Sequence, residues 1–365
     1  MTRGPRLLVS GVVLGQPMGG VRLHNREILP RLAHLLEESG GSLAVLEGRD
    51  RIEFALPASV EIIHTNVPMH PIVLRAEAEL RALRKALRTA HAALNPFDLV
   101  HTAHMPAPRG LDVPYTLTIH DLRSVDPNHG SAPRRVMAER VLRSAIKHAL
   151  RVFTVSRFVA SQIQRSFQPD GTQIVVVPNG VDHFTPLPRR PEANAPIRCI
   201  GHLEQRKNIE LVIRALAVDK TLPRLEVHGA PKGEELERLR GVAAEMGVKD
   251  RVTFAGAFAD DELPRLLASA ACVCVPSRIE GFGITALEAQ RAAVPLAITR
   301  GTALTEVAGD KTPNFAPTDP SECAHALHAA LAAPAVEIER ARARADLFTW
   351  DASARAWFDG IMNAR

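Results

Sequence analysis

The chain has 365 residues, 46% apolar and 4% aromatic, with 45 Lys+Arg against 40 Asp+Glu for a formal net charge of +5. That length exceeds one ordinary hydrophobic core, so two domains are expected, and no apolar run approaches the roughly 18 residues of a membrane span. The scarcity of aromatics leaves no stacking platform for bases, so no nucleic-acid partner is expected.

Near the N-terminus, two arginines and a proline precede Leu7-Leu8-Val9, which reads as a first strand rather than a leader. Short β-branched runs then alternate with amphipathic helical stretches, the pattern of an α/β chain with parallel sheets. In the first series strands are expected at 6–12, 42–46, 61–65, 99–101, 115–119, 152–155 and 174–177, with helices at 20–39, 72–94 and 133–149. The proline-rich stretch 186–196 forbids regular structure and marks a linker. A second series restarts at 197–200, with strands at 224–228, 252–255, 271–275 and 296–298 and a helix at 284–293. Cys272 and Cys274 alternate on one face of a buried strand, and with Cys199 and Cys323 they read as reduced packing residues rather than metal or redox groups. The cytoplasm is the compartment this suggests.

Charge is uneven. Residues 1–187 carry 22 Lys+Arg and 16 Asp+Glu, whereas 188–365 carry 23 and 24. The excess gathers in 75–88 (Arg75, Arg81, Arg84, Lys85, Arg88) and 134–157 (Arg134, Arg135, Arg140, Arg143, Lys147, Arg151, Arg157). A solvated helix face is one reading, and an anionic membrane surface or acidic acceptor is the other.

Two doubly wound domains would put ligands at the carboxyl ends of their strands, in the cleft between them. Residues with binding chemistry stand at those ends. Gly19-Gly20 precedes the first long helix, and His120-Asp121 follows the strand at 115–119. Gly201 ends the first strand of the second series, and Arg206-Lys207-Asn208 opens the next helix, where cations and free N–H groups suit a diphosphate. Glu280-Gly281-Phe282-Gly283-Ile284-Thr285-Ala286-Leu287-Glu288 sets two carboxylates around a glycine turn at a strand's end. Carboxylates repel phosphate but accept hydrogen bonds from the hydroxyls of a ribose or sugar. Each element alone has a plainer reading: a turn for Gly19-Gly20, a cap or core residue for His120, a surface pair for Glu280 and Glu288. His101-x-x-His104 has no third ligand at metal spacing and reads as structural or pocket lining. No Asp-x-Asp occurs, so neither metal nor other cofactor is expected.

Taken in order, Gly19-Gly20-Val21-Arg22, Thr118-Ile119-His120-Asp121-Leu122, Thr154-Val155-Ser156-Arg157-Phe158, Val177-Pro178-Asn179-Gly180-Val181-Asp182, Gly201 to Asn208, Pro276 to Ala289 and Glu306-Val307-Ala308-Gly309-Asp310 run through nearly the whole chain. The series resembles the retaining GT-B glycosyltransferases of family four (glycosyltransferase group 1), in particular their bacterial mannosyltransferase-like branch. The resemblance implies two Rossmann-like doubly wound domains facing across a cleft: an acceptor-side domain at 1–187, a donor domain at 188–345, and a C-terminal helix within 346–365 crossing back to the first.

It also implies roles. Arg206 and Lys207 neutralise the donor diphosphate, Glu288 grips the ribose hydroxyls, and Glu280 with the amides of Gly281, Phe282, Gly283, Ile284 and Thr285 touches the donor sugar. His120 lies by the anomeric centre, and Gly19-Gly20 closes on the phosphate. The reaction implied moves a hexose from GDP-mannose or a UDP-hexose to a hydroxyl of a glycan, lipid-linked or small-molecule acceptor, by a front-face retaining course. The loops at 66–71 and 125–131 would define that acceptor, and the basic N-terminal half favours a lipid-linked or cell-envelope intermediate. A GT-B epimerase or phosphorylase, or a non-catalytic sugar-nucleotide binder, are the alternatives. The chain departs from the family pattern at His202, where arginine is usual, at Thr285, where proline is common, and at Ala292-Ala293, where a turn glycine is usual.

Overall fold

The computed structural model describes residues 4–15, 19–107, 110–127, 131–169 and 171–363. The chain divides into two compact units, Met1–Gly180 with Trp350–Arg365, and Val181–Thr349.

The first unit contains β1 (Arg6–Ser10), α1 (Gly20–Glu38), β2 (Ser42–Glu47), β3 (Glu61–His64), α2 (Ile72–Ala92), β4 (Leu99–Thr102), β5 (Tyr115–Ile119), α3 (Ala132–His148), β6 (Arg151–Thr154), α4 (Arg157–Phe167) and β7 (Gln173–Val176). Its seven parallel strands run in the order β3-β2-β1-β4-β5-β6-β7. Helices cover both faces of such a sheet, so its central strands are buried throughout and read as apolar runs, as in Leu7-Leu8-Val9 of β1.

The second unit contains β8 (Ile197–Ile200), α5 (Ile209–Val218), β9 (Leu225–His228), α6 (Glu235–Glu245), β10 (Val252–Gly256), α7 (Leu263–Ala268), β11 (Cys272–Val275), α8 (Ile284–Arg291), β12 (Leu296–Thr299), α9 (Ala303–Ala308), β13 (Asn314–Phe315), α10 (Pro320–Leu331) and α11 (Ala335–Ala345). Its parallel order is β10-β9-β8-β11-β12-β13. Cys199, Cys272, Cys274 and Cys323 are free thiols in one apolar core, and burial pushes the last strand pair's thiols, Cys272 and Cys274, upward in pKa.

α12 (Trp350–Met362) returns to the first unit. Trp350 and Trp357 are buried, Trp357 stacks at 4.5 Å against His101 and 5.3 Å against Phe153, and Asp351 pairs with Arg31 of α1 at 2.7 Å.

The structure differs from the sequence reading in three places. The chain passes between units at Gly180–Val181 and again at Thr349–Trp350, ahead of 187/188 and after 345/346. The proline-rich stretch is irregular yet fastened to the second unit: Arg190 N donates to Ala268 O at 2.9 Å, and the Arg189 guanidinium donates to Ala270 O at 2.8 Å. Arg75 and Arg151 are buried rather than solvated.

α8 ends where the sequence lacks its usual glycine. Ala293 N donates to Gln290 O and Val294 N to Ala289 O, both at 2.9 Å, a closure that demands a left-handed residue. Ala293 supplies it at φ 54°. That conformation costs an L residue about 1–2 kcal/mol, while glycine would give up about 0.4–1 kcal/mol through unfolded-chain entropy. Ala293→Gly should therefore stabilise the second unit by up to about 1 kcal/mol, a rise in melting temperature of about 2–4 °C. Thermal unfolding checks it, and an unchanged or lowered midpoint means Ala293 carries no strain.

Candidate functional site

In the second sheet, strand order reverses between β8 and β11, and an open parallel sheet has room for a ligand beyond the carboxyl ends of such neighbours. The chain leaves β8 through Gly201 and makes a short 3-10 turn, Gln205–Lys207, before α5 begins. It leaves β11 through Pro276 and Ser277 and reaches Glu280. The two exits meet: Lys207 Nζ donates to Glu280 Oε2 at 2.8 Å, and Arg206 Nη1 lies 3.8 Å from the same oxygen.

The surrounding backbone is locked as firmly. Arg278 N donates to Arg206 O at 2.8 Å. Asn208, left-handed at φ 54°, donates from Nδ2 to Pro276 O at 3.2 Å and Pro317 O at 2.9 Å and accepts from Arg278 Nε at 2.9 Å. A small pocket lined by Cys199, Gly201, Lys207, Cys274, Pro276 and Ser277 opens at this point.

Burial alone would raise the Glu280 carboxyl, but the charges of Lys207 and Arg206 outweigh it and hold the group below its usual range. Arg206 also donates to Glu204 Oε1 at 2.7 Å, and Lys232 approaches the same oxygen at 3.4 Å. Two expectations are thus corrected. Arg206 and Lys207 sit on the turn before α5 rather than on its first turn, which is why they escape the unfavourable end of the helix dipole. Each also already holds a carboxylate, so an incoming anion must share these cations with Glu280 and Glu204.

Past Glu280 the chain turns on Gly283, the left-handed cap of α8 at φ 90°, where a Cβ would lie 2.2 Å from Leu304 Cδ2. Only glycine fits, and the close approach fixes the segment Gly281, Phe282, Gly283, Ile284, Thr285 against α9. Glu288 lies one turn further along α8 and faces a different partner: His183 Nε2 donates to its Oε1 at 3.0 Å. The two glutamates of the motif are therefore not a mutually hydrogen-bonded acid and base pair.

In the first sheet the order reverses between β1 and β4, and a set of buried polar side chains surrounds their carboxyl ends. His24 of α1 donates from Nδ1 to Asn179 Oδ1 at 2.7 Å and meets the His120 ring edge-on at 4.9 Å. Burial lowers the His24 imidazole to about 4 against the raising effect of Asn179. Burial, then His24, His101 and Arg123, push His120 well below its usual value. His120 Nε2 is buried without a hydrogen-bond partner among the described residues. His101 bonds Thr116 Oγ1 at 2.8 Å and Thr118 Oγ1 at 3.2 Å, a structural role. His104 Nε2 donates to Glu79 Oε2 at 3.0 Å, and Ser10 Oγ donates to Glu79 Oε1 at 2.7 Å. Gly19 caps α1 at φ 52°, with Leu23 N donating to its carbonyl at 3.0 Å, and Gly20 has open space around it. Residues 16–18 of that loop, and 128–130 of a loop assigned to the acceptor, lie outside the described residues.

Sequence reasoning did not find His24, Glu79, His183 or Glu204. His24 had a signal, a polar residue on the inward face of an otherwise apolar helix stripe with Ile28 and Leu32. Glu204 stands two residues before Arg206 and was legible as its charge partner. His183 and Glu79 have no local signal, because their partners are distant in the chain.

Two family models match the chain, glycosyltransferase family 4 over residues 18–183 and glycosyl transferases group 1 over residues 188–345. The MMP alpha-(1->4)-mannosyltransferase of Mycolicibacterium hassiacum is 33% identical over 159 residues, 43% of this chain and 39% of that protein. The D-inositol 3-phosphate glycosyltransferase of Gordonia bronchialis is 28% identical over 326 residues, 79% of this chain and 71% of that protein. The chain thus spans about two fifths of the first relative's length. Among solved structures, sucrose-phosphate synthase from Thermosynechococcus elongatus superposes with a TM-score of 0.79 over 99% of both chains at 22% identity, a likeness of fold. With the two models following each other along nearly all of its length and two parallel α/β sheets of this order, the chain belongs to the family-four, group 1 glycosyltransferases of GT-B fold.

Proposed function

We propose that the chain transfers a hexose from a nucleotide-diphosphate sugar to an acceptor hydroxyl, with retention at the anomeric carbon. The observation that carries this reading is the Lys207–Glu280 pair at the β8/β11 crevice, with Arg206 beside it. Lys207 has three N–H donors and gives one to Glu280, leaving others for a diphosphate oxygen. Glu280 and Glu288, carboxylates beside those cations, suit the sugar and ribose hydroxyls.

As the glycosidic C–O bond loosens, negative charge grows on the departing diphosphate, and fixed cations there lower the barrier because they need no reorganisation. The acceptor oxygen enters on the same face, and a phosphate oxygen takes its proton, so no enzyme nucleophile of the retaining-hydrolase kind is required. Arg206 and Lys207 carry the charge that a metal would otherwise balance, in keeping with the lack of an Asp-x-Asp pair. His120, neutral and short of a partner, suits a hydroxyl of the transferred sugar. The mannosyltransferase among the relatives favours mannose carried on GDP, with a UDP-hexose the second donor.

The acceptor we favour is a lipid-linked glycan intermediate reached at the cytoplasmic face of a membrane. No helix among the described residues is long and apolar enough to cross one, so the contact would be peripheral. α2 suits it: Ile72, Val73 and Leu74 are 54%, 78% and 57% exposed at its start, and Arg81, Arg84, Lys85 and Arg88 follow on its exposed side. Apolar side chains enter a headgroup layer while cations meet anionic lipid.

Lys207→Ala should lower kcat/KM for the donor by about two to three orders of magnitude, about 2.7–4 kcal/mol of barrier by analogy with one oxyanion donor, with the fold intact by circular dichroism. Near-normal turnover would reject its role. Lys85→Ala with Arg88→Ala should weaken sedimentation with phosphatidylserine vesicles by about 2 kcal/mol, roughly thirtyfold, and binding should fall as salt rises. Indifference to lipid charge would sink the membrane contact.

A further inference from the structure

Glu288 has a partner outside its own motif. His183 Nε2 donates to Glu288 Oε1 at 3.0 Å, and their side chains are only 6% and 8% exposed. His183 is held from behind: its ring lies 5.3 Å from that of Phe184, which packs against the apolar cluster containing Ala286 and Ala289 of α8. The imidazole is thus fixed to the same helix that carries the carboxylate.

A glutamate's terminal torsion is soft, so its carboxylate plane is free to rotate unless a neighbour sets it. A carboxylate also has about four lone-pair sites, and one donor leaves the rest for other partners. We propose that His183 is a positioning residue for nucleotide recognition: by fixing Oε1 of Glu288 it orients the remaining lone pairs toward the vicinal diol of the donor's ribose. This rests on the reading of Glu288 as the ribose carboxylate. Orientation before binding spares the ordering that a free side chain would undergo on contact, so the benefit falls only on ligands that have the diol. The plainer role, a buried pair that merely fastens residues 181–184 to α8, predicts lost stability with no effect on diol recognition.

The test compares ligands with and without the diol. Affinities of UDP and GDP and of their 2′,3′-dideoxy analogues are measured by calorimetry for the wild type, His183→Ala, His183→Gln and Glu288→Gln. Glutamine carries an amide N–H close to the position of the imidazole Nε2–H. The wild type should prefer the ribonucleotide of its own base. His183→Ala should lose about fivefold to tenfold of that preference, the net effect of about one ordinary hydrogen bond, while dideoxy affinity is unchanged, and His183→Gln should restore most of it. Equal losses for both ligands, or none, overturn the positioning role. If Glu288→Gln loses the preference and His183→Ala keeps it, only the role of His183 falls. If the wild type binds neither nucleotide, or does not discriminate, the ribose reading of Glu288 falls and the role of His183 with it.

Discussion

The second unit's site depends on one ion pair, Lys207–Glu280, formed where the exits of β8 and β11 converge. Both side chains are largely shielded, and a charge in that position is stable only while its partner is present. The pair therefore does two things. It ties together loops from adjacent strands, a tie repeated in the backbone by Arg278 and Asn208. It also keeps Glu280 ionised in a place where burial alone would favour the acid. Around it, Glu204 and Glu280 face Arg206, Lys207 and Lys232, so these five groups together carry one net positive charge. An anion entering there would have to redistribute these contacts, and the displaced carboxylates would then need new hydrogen-bond donors.

The strands were legible because a parallel sheet covered on both faces needs continuous apolar runs, and Cys272–Val275 and Leu296–Thr299 supply them. β13 was not, since Asn314–Phe315 is too short to carry any period. The compact units divide ahead of the proline-rich stretch for a physical reason: prolines at 186–196 do exclude regular structure, but composition gives no sign of the Arg189 and Arg190 contacts that fasten the stretch to the second unit. At Ala293 the sequence showed only that the usual turn glycine is missing, and the structure puts an L residue into the left-handed conformation there.

Among the site residues, Arg206, Lys207 and Glu280 stood out in the sequence because residue type and place at a strand end together select a chemistry. The distant pairings of other polar residues did not. Asn179 reaches back across 155 residues to His24, and His183 forward across 105 to Glu288. Pairings of that span are set by how the units fold, and a local pattern holds no trace of them. His101 and His104 illustrate the limit, since their spacing resembles a ligand pair whereas Thr116 and Thr118 occupy both nitrogens of His101 and Glu79 occupies Nε2 of His104.

The two switch points differ in the charge they present. At β8/β11 the groups are ionised and paired, an environment that stabilises an anion by exchange of partners. At β1/β4 burial keeps His24 and His120 neutral, so they offer dipoles in a shielded place rather than charges. A neutral imidazole discriminates hydroxyl geometry without drawing phosphate toward itself.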